Sequence, residues 1–249
     1  MTALSELTIC ILLIIASIAI TNAALPSTIP ICRRSDPRIS DCMIEAIKAL
    51  QPKMADGNLG DGFRIPPQEP FYINDIALSD ASNMKITLTD VALHGTTKFN
   101  IEKLRANMQE LKMDAIISYP SLELTAKYHY IAQFFGRPIK SEGDIVVKIG
   151  DSRNRISIKM HKVLKDGKEY LQFDKVGIKI SGQPTGIQLK GLFGDNKTLN
   201  EIATALIKEN PLFQPNRLFP HFEKNLSEAM TNIANTIVYK ATFDEVFPE

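Results

Sequence analysis

Residues 219–237, FPHFEKNLSEAMTNIANTI, decide the architecture of this chain. Their large apolar side chains recur at spacings of three, four, four, three and four residues. At about 100° per residue, this spacing places them on one stripe of an α-helix. Burying six such side chains is worth on the order of 9–18 kcal/mol, so the sequence predicts a long helix in the core of the fold. The stripe consists of Phe219, Phe222, Leu226, Met230, Ile233 and Ile237.

The middle of the chain, from residue 71 to about residue 193, alternates apolar and polar residues with the period of β-strands. Lys165-Asp166-Gly167-Lys168, between two of the alternating stretches, is typical of a two-residue β-hairpin. The alternation predicts about eight long antiparallel strands, each with one apolar and one polar face. Gly150-Asp151-Ser152 interrupts the alternation, and we interpret it as a polar turn between two strands.

Two further helices are predicted outside the alternating region. Asp36-Pro37 is typical of a helix N-cap and first turn, and the apolar residues from Ile39 to Met54 then follow helical spacing. A short amphipathic helix within residues 199–207 is stopped by Asn210-Pro211. The chain is therefore expected to be α+β, with the long C-terminal helix wrapped by a highly curved antiparallel β-sheet. The elongated apolar interior of such a fold is the candidate site.

Residues 1–23 are typical of a secretory signal peptide, because an apolar core is followed by Thr21-Asn22-Ala23. The core is shorter than the roughly 20 residues of a membrane span, so no stable membrane insertion is expected. An uncleaved anchor is the alternative, since the segment before the core holds Glu6 and no basic residue. Residues 24–249 then form a single domain with 29 basic and 27 acidic side chains. This near-neutral balance gives no indication of a nucleic-acid partner.

Two cysteines, Cys32 and Cys42, remain after the leader with Cys10 is removed. An oxidising compartment would join them in a structural disulfide. Closing so short a loop stabilises a fold by roughly 2–3 kcal/mol in the chain-entropy model. No histidine or second cysteine pair lies nearby to complete a tetrahedral zinc site, so no metal is expected there.

No catalytic constellation is found in the sequence. Ser152 lies in a Gly-Asp-Ser sequence without the G-x-S-x-G pattern of a nucleophile elbow. The acidic residues are dispersed, and no cofactor motif is present, so we expect no catalytic residue, no metal and no cofactor. The four histidines are scattered without metal-ligand spacing: His94, His129, His161 and His221.

Two N-x-S/T sequons are candidate glycosylation sites. Asn196 lies in a predicted loop, which suits a secreted protein. Asn225 lies on the predicted long helix beside the apolar stripe, where a glycan is less favourable.

Seven stretches in the same order as in a known family carry a resemblance over essentially the whole mature chain. They are CRRSDPRISDC followed by MIEAIKAL (32–50), FRIPPQEPFYI (63–73), DVALHGTTKFNIEKLR (90–105), SYPSLELTAKYHYIAQFFGRPIKSEGD (118–144), DGKEYLQF (166–173), LKGLFGDNKTLNE (189–201) and YKATFDEVFPE (239–249). The chain resembles the insect takeout / juvenile hormone-binding protein family of the tubular lipid-binding superfamily. It departs from the family pattern in KENPLFQPN (208–216), in Phe134-Phe135 and Arg137, and in its lack of Trp.

The resemblance implies a secreted monomeric carrier that holds a small hydrophobic ligand, such as a terpenoid hormone or a fatty-acid-like molecule, in an apolar tunnel. The alternatives are a secreted hydrolase of apolar esters and a ligand-free haemolymph or chemosensory interaction protein. The residues expected to line the tunnel are Tyr128, Tyr130, Phe134, Phe135, Phe219, Phe222, Leu226, Met230 and Ile233.

Overall fold

A computed structural model describes residues 25–81, 84–134, 137–209 and 214–249. The predicted leader with Cys10 and the predicted tunnel residue Phe135 lie outside these ranges. Within them, no helix is both long enough and apolar enough to cross a bilayer.

The elements follow the predicted order of helix, sheet and C-terminal helices. The helices are α1 (Ile39–Met54), α2 (Lys197–Glu209), α3 (Pro215–Val238) and α4 (Phe243–Val246). The strands are β1 (Asn58–Gly60), β2 (Phe63–Arg64), β3 (Phe71–Ile73), β4 (Ile76–Ala81), β5 (Met84–His94), β6 (Asn100–Asn107), β7 (Lys112–Phe134), β8 (Arg137–Lys165), β9 (Lys168–Lys179), β10 (Gln183–Leu189) and β11 (Leu192–Asp195).

One eight-stranded antiparallel sheet forms the body of the protein. Its main order is β10-β8-β7-β5-β3, while β4 pairs with β5, β6 with β7 and β9 with β8. The long helix α3 lies against this sheet, and its apolar stripe packs on residues of β3, β5 and β7. The predicted α+β fold, a curved antiparallel sheet around a long C-terminal helix, is confirmed.

The two longest strands, β7 and β8, pair with each other through the position of the predicted polar turn. β7 has 23 residues and β8 has 29, because the chain does not turn at Pro120 or at Asp151. The pairing passes from Tyr119 opposite Ser152 to Ser121 opposite Gly150, so Pro120 and Asp151 form a paired irregularity. Proline has no N–H for the ladder, and Asp151 has a φ of 39°. The predicted turn at residues 150–152 is therefore wrong, since β8 continues through these residues.

The β8–β9 hairpin has the predicted two-residue turn. Lys165 pairs with Lys168, and Asp166 and Gly167 have φ angles of 51° and 74°. Two consecutive residues with positive φ are what a type I′ turn requires, which explains why glycine follows aspartate here.

A solid apolar cluster, called here the α1–α4 cluster, closes one end of the interior. Cys32 and Cys42 are joined by a disulfide, and this bond ties the segment before α1 to the first turns of that helix. Arg34 forms ion pairs with Asp244 and Glu249 and so links the same segment to the C-terminus. The buried members of the cluster are Cys32, Ile39, Met43, Ala46, Met160, Leu171, Val238, Phe243 and Phe247.

Candidate functional site

A cavity of about 850 Å³ lies between α3 and the concave face of the sheet. This is within the 300–1,000 Å³ range of small-molecule sites. Leu218 and Ile237 of α3 both line it, and these residues are 19 positions apart, which corresponds to about 28 Å of helix. The cavity is therefore long and follows α3 along most of its length. The predicted stripe residues Phe219, Phe222, Leu226, Met230 and Ile233 all line it.

On β7 and β8, the residues that face the cavity are odd-numbered on one side of the Pro120–Asp151 irregularity and even-numbered on the other. This change keeps apolar residues facing the cavity along both strands. On β7 the lining residues are Ile117 and Tyr119 before Pro120, and Leu122 and Leu124 after it. Odd-numbered residues thus face inward on one side of Pro120 and even-numbered residues on the other. The inward residues on β8 also change parity, from Ile145, Val147 and Ile149 to Asn154, Ile156 and Ile158.

The polar face of α3 closes the sheet along the outer edge of β9. The Asn235 side chain accepts a hydrogen bond from Phe173 N (2.8 Å) and donates one to Phe173 O (3.0 Å). Thr231 Oγ1 accepts from Val176 N at 2.9 Å. Glu223 accepts a hydrogen bond from Ile180 N at 2.9 Å. It lies about two helical turns before Thr231 on α3. These side chains replace the neighbouring strand that β9 lacks, so α3 has one face on β9 and another on the cavity.

The described part of the cavity wall carries no charged side chain. Among the described residues that line it there is no Asp, Glu, Lys, Arg or His. Its polar lining residues are neutral: Gln68, Thr96, Thr97, Tyr119, Tyr128, Tyr130 and Asn154. A neutral apolar wall of this kind accommodates hydrocarbon and offers an ionised group no compensating partner.

The predicted tyrosines have different environments. Tyr128 lines the cavity with its ring, but it is buried and its hydroxyl donates to Lys190 O at 3.1 Å. Gly143, opposite Tyr128 on β8, makes this contact possible, because a Cβ there would lie 1.9 Å from Lys190 O. Tyr130 also lines the cavity. Phe134 is the last residue of β7.

Tyr119 is a lining residue that the sequence prediction did not include. It continues the odd-numbered apolar series Met113, Ala115 and Ile117 directly before Pro120, and that parity was the available signal. Its ring meets that of Phe99 edge to face, with 6.2 Å between centroids. Tyr119 retains some accessible surface because it faces the cavity, yet burial raises the pKa of its hydroxyl to about 12.

The surroundings of Ser152 do not support a hydrolase. Its side chain is fully buried, and its Oγ lies 2.8 Å from Asn154 Oδ1 and 3.1 Å from Ser181 O. These partners are not the histidine and carboxylate of a catalytic triad. The pair of His161 and Asp174 lies elsewhere, with 2.6 Å between His161 Nδ1 and Asp174 Oδ1, and both side chains are partly exposed.

No group of three or more potential metal ligands is found in the described part of the chain. The two sequons also differ in their surroundings. Asn196 is exposed, and its side chain accepts a hydrogen bond from Leu199 N at 3.0 Å. Asn225 is half-buried and donates to His221 O, while Ser227 of the same sequon is buried. Asn196 therefore remains the more favourable glycosylation candidate.

The fold and the cavity place this chain in the class of tubular proteins in which one curved sheet wraps a long helix around an apolar interior. The chain belongs to the haemolymph juvenile hormone binding protein family, whose sequence profile matches residues 9–248.

Individual relatives agree with this assignment. The circadian clock-controlled protein daywake of Drosophila melanogaster is 22% identical over 240 residues, which cover 89% of this chain and 88% of that protein. Daywake of Drosophila yakuba is 24% identical over 177 residues, which cover 68% of this chain and 67% of that protein. The crystal structure of Epiphyas postvittana Takeout 1 superposes with a TM-score of 0.67, at 16% identity, over 88% of this chain and all of that chain. The last likeness shows the fold.

Proposed function

We propose that this protein is a secreted carrier of a small, neutral, hydrophobic ligand held in the cavity along α3. The observation that carries the proposal is a cavity of about 850 Å³ whose described lining residues are overwhelmingly apolar and include no charged side chain. Transfer of a ligand's apolar surface from water to such a wall is favourable by about 25 cal/mol per Å² before the costs of association.

The uncharged wall favours esters, alcohols, ketones and terpenoids over ionised fatty acids. A carboxylate inside the cavity would lose its hydration without gaining a cationic partner, and such burial is strongly unfavourable. The family's name refers to a juvenile hormone, which supports an apolar terpenoid or another neutral lipid as the ligand.

Secretion is part of the proposal. It is supported by the apolar leader at residues 1–23 and by the disulfide between Cys32 and Cys42, since such bonds persist in oxidising compartments. We further propose that the carrier acts as a monomer, because its cavity is built from one chain. Tyr128, Tyr130, Phe134 and Phe135, together with the α3 stripe, remain our proposed contacts with the ligand.

The test is displacement of a fluorescent apolar probe from the purified protein by methyl palmitate and by palmitic acid at neutral pH. We expect the ester to displace the probe at much lower concentration than the acid. Native mass spectrometry of protein purified from its own secretion should show a bound neutral lipid. Absence of probe binding together with absence of any co-purified lipid would contradict the carrier function, and equal displacement by ester and acid would contradict the preference for neutral ligands.

A matched pair of variants locates the binding. Ala234 on α3 lines the cavity, whereas Ala205 on α2 is exposed. Ala234→Trp should fill part of the cavity and weaken binding of methyl palmitate by about tenfold. Ala205→Trp should leave binding unchanged. Equal affinities of the two variants would place the ligand outside the cavity.

A further inference from the structure

We propose that Tyr119 selects and orients the ligand by donating a hydrogen bond to a neutral acceptor oxygen, which places the polar end of the ligand in the part of the cavity beneath α1. This inference rests on the carrier function proposed above. It assigns a direction to the ligand: the oxygen lies near Tyr119 and the hydrocarbon extends along α3.

Tyr119 lies where α1 crosses the sheet. Its ring contacts Phe99 at 6.2 Å between centroids, and both residues line the cavity. Gln51 of α1 donates hydrogen bonds from Nε2 to Thr97 O (2.6 Å) and Phe99 O (2.9 Å). The backbone beside Tyr119 is therefore fixed to α1, and the position of the Tyr119 ring is fixed with it.

Other polar side chains in this part of the wall already have partners. Thr96 Oγ1 donates to Gln68 O, and Gln68 Nε2 donates to Pro66 O at 2.7 Å. Asn154 Oδ1 accepts from Ser152 Oγ and from Ser181 N at 2.8 and 3.0 Å. These bonds occupy Thr96 Oγ1, Gln68 Nε2 and Asn154 Oδ1, so these three atoms already have partners within the protein.

The Tyr119 hydroxyl differs from these groups. Within the described residues it makes no hydrogen bond with the protein, although its ring is held in place by Phe99. The hydroxyl opens onto the cavity, so an acceptor oxygen of the ligand can bond to it without breaking a bond within the protein. Because burial raises the pKa of Tyr119 to about 12, the group remains a neutral donor at physiological pH. A neutral donor suits a carbonyl, ester, ether or alcohol oxygen.

Two other tyrosines in the same cavity differ from Tyr119 in hydrogen bonding or in position. Tyr128 lines the cavity with its ring, but its hydroxyl is already bonded to Lys190 O. Tyr130 lies eleven residues beyond Tyr119 on β7, which corresponds to about 35 Å of extended strand. Its neighbours in the sheet are Ile86 on β5 and Ser141 on β8, so it lies far from α1. Among the described tyrosines that line the cavity, Tyr119 alone combines an unpartnered hydroxyl with a position beneath α1.

The test uses two ligands that differ by one carbonyl oxygen, 2-heptadecanone and heptadecane, in competition with a fluorescent probe. Tyr119→Phe should weaken binding of the ketone by about 5- to 30-fold, the effect of losing one hydrogen bond to a buried partner. Its affinity for heptadecane should stay within about twofold of wild type. Tyr72→Phe, at an exposed position outside the cavity lining, should change neither affinity. A circular-dichroism melt establishes that the variants are folded.

The infrared carbonyl band of bound 2-heptadecanone gives a readout that a merely structural role would not change. In the wild type the band should lie at the lower frequency of a hydrogen-bonded ketone, and in Tyr119→Phe it should shift to the value found in alkane solvent. An unshifted band, an unchanged ketone affinity, or equal losses for ketone and alkane would overturn the role of Tyr119. If the wild type bound neither compound, the carrier function itself would fail, so the two failures are distinguishable.

Discussion

Two regions of the interior are built from the same kinds of side chain, yet one is filled and the other is hollow. In the α1–α4 cluster, Phe243 is 3% exposed and its ring lies 6.2 Å from that of Phe247. In the cavity, Phe222 and Leu226 are only half-buried, because one side of each faces empty space. Protein interiors normally contain few voids larger than a water molecule. We therefore expect the cluster to contribute most of the stability and the cavity to hold the proposed ligand.

The largest expected effect compares one substitution in the two regions. Phe243→Ala should lower the free energy of unfolding by about 3–5 kcal/mol, since it opens a void in a filled cluster. Phe222→Ala should cost roughly half as much, because part of the Phe222 surface already faces a cavity. Denaturant unfolding of both variants beside the wild type measures the difference. Equal losses would show that the region around Phe222 is packed as tightly as the cluster, and the contrast would be wrong.

Removal of the disulfide tests the stability of the protein separately from its ligand binding. Cys32 and Cys42 lie in the cluster and do not line the cavity. Replacing both by serine should lower the free energy of unfolding by about 2–3 kcal/mol, the loop-closure contribution for so short a loop. Probe affinity should remain within about twofold at temperatures where the variant is folded. A large loss of affinity in the folded variant would mean that the cluster shapes the cavity as well as closing it.

The seam between α3 and β9 forms the boundary between the hollow region and solvent. Asn235→Ala should cost about 1–3 kcal/mol, because it leaves the N–H and C=O of Phe173 without their partner. Asn232→Ala, at an exposed position on the same helix, is the matched control and should be nearly neutral. Urea unfolding of the two variants measures both effects. A neutral Asn235→Ala would show that water replaces the amide and that this seam contributes little to closing the sheet.

The sequence predicted the helices, the strands and their buried faces better than it predicted the cavity between them. The spacing of Phe222, Leu226 and Met230 indicated the buried face of α3 because that face follows the helical period. The same pattern does not reveal whether the facing sheet fills the space or leaves it empty, since that depends on curvature. Curvature in turn depends on irregularities such as Asp151, whose local sequence is equally typical of a turn.

The roles of the tyrosines could not be predicted from periodicity for a related reason. Tyr128 and Tyr119 are both inward-facing residues of β7, and the alternation treats them alike. The partner of Tyr128 is the carbonyl of Lys190, 62 residues later in the chain, and the contact also requires Gly143 on the adjacent strand. The sequence around Tyr128 does not indicate so distant a partner. The difference between the bonded hydroxyl of Tyr128 and the unbonded hydroxyl of Tyr119 is therefore seen only in the folded structure.

The smallest expected effect tests whether the cavity end beneath α1 is dry. The Tyr119 hydroxyl is neutral when protonated, and burial raises its pKa in the folded state to about 12, above the value of about 10 for an unfolded chain. The contribution of Tyr119 to stability is therefore complete below pH 10 and is lost as the pH rises from about 10 through about 12. At pH 11 the loss amounts to about 1.4 kcal/mol.

Tyr119→Phe has no hydroxyl and should escape this loss. Between pH 9 and pH 11, its free energy of unfolding in the ligand-free state should therefore fall by about 1.4 kcal/mol less than that of the wild type. Tyr72→Phe, at an exposed position, should follow the wild type and corrects for the other titrating groups. If Tyr119→Phe also follows the wild type, water reaches the hydroxyl in the ligand-free protein. The hollow region would then be hydrated at this end, and a ligand oxygen would have to displace that water to bind Tyr119.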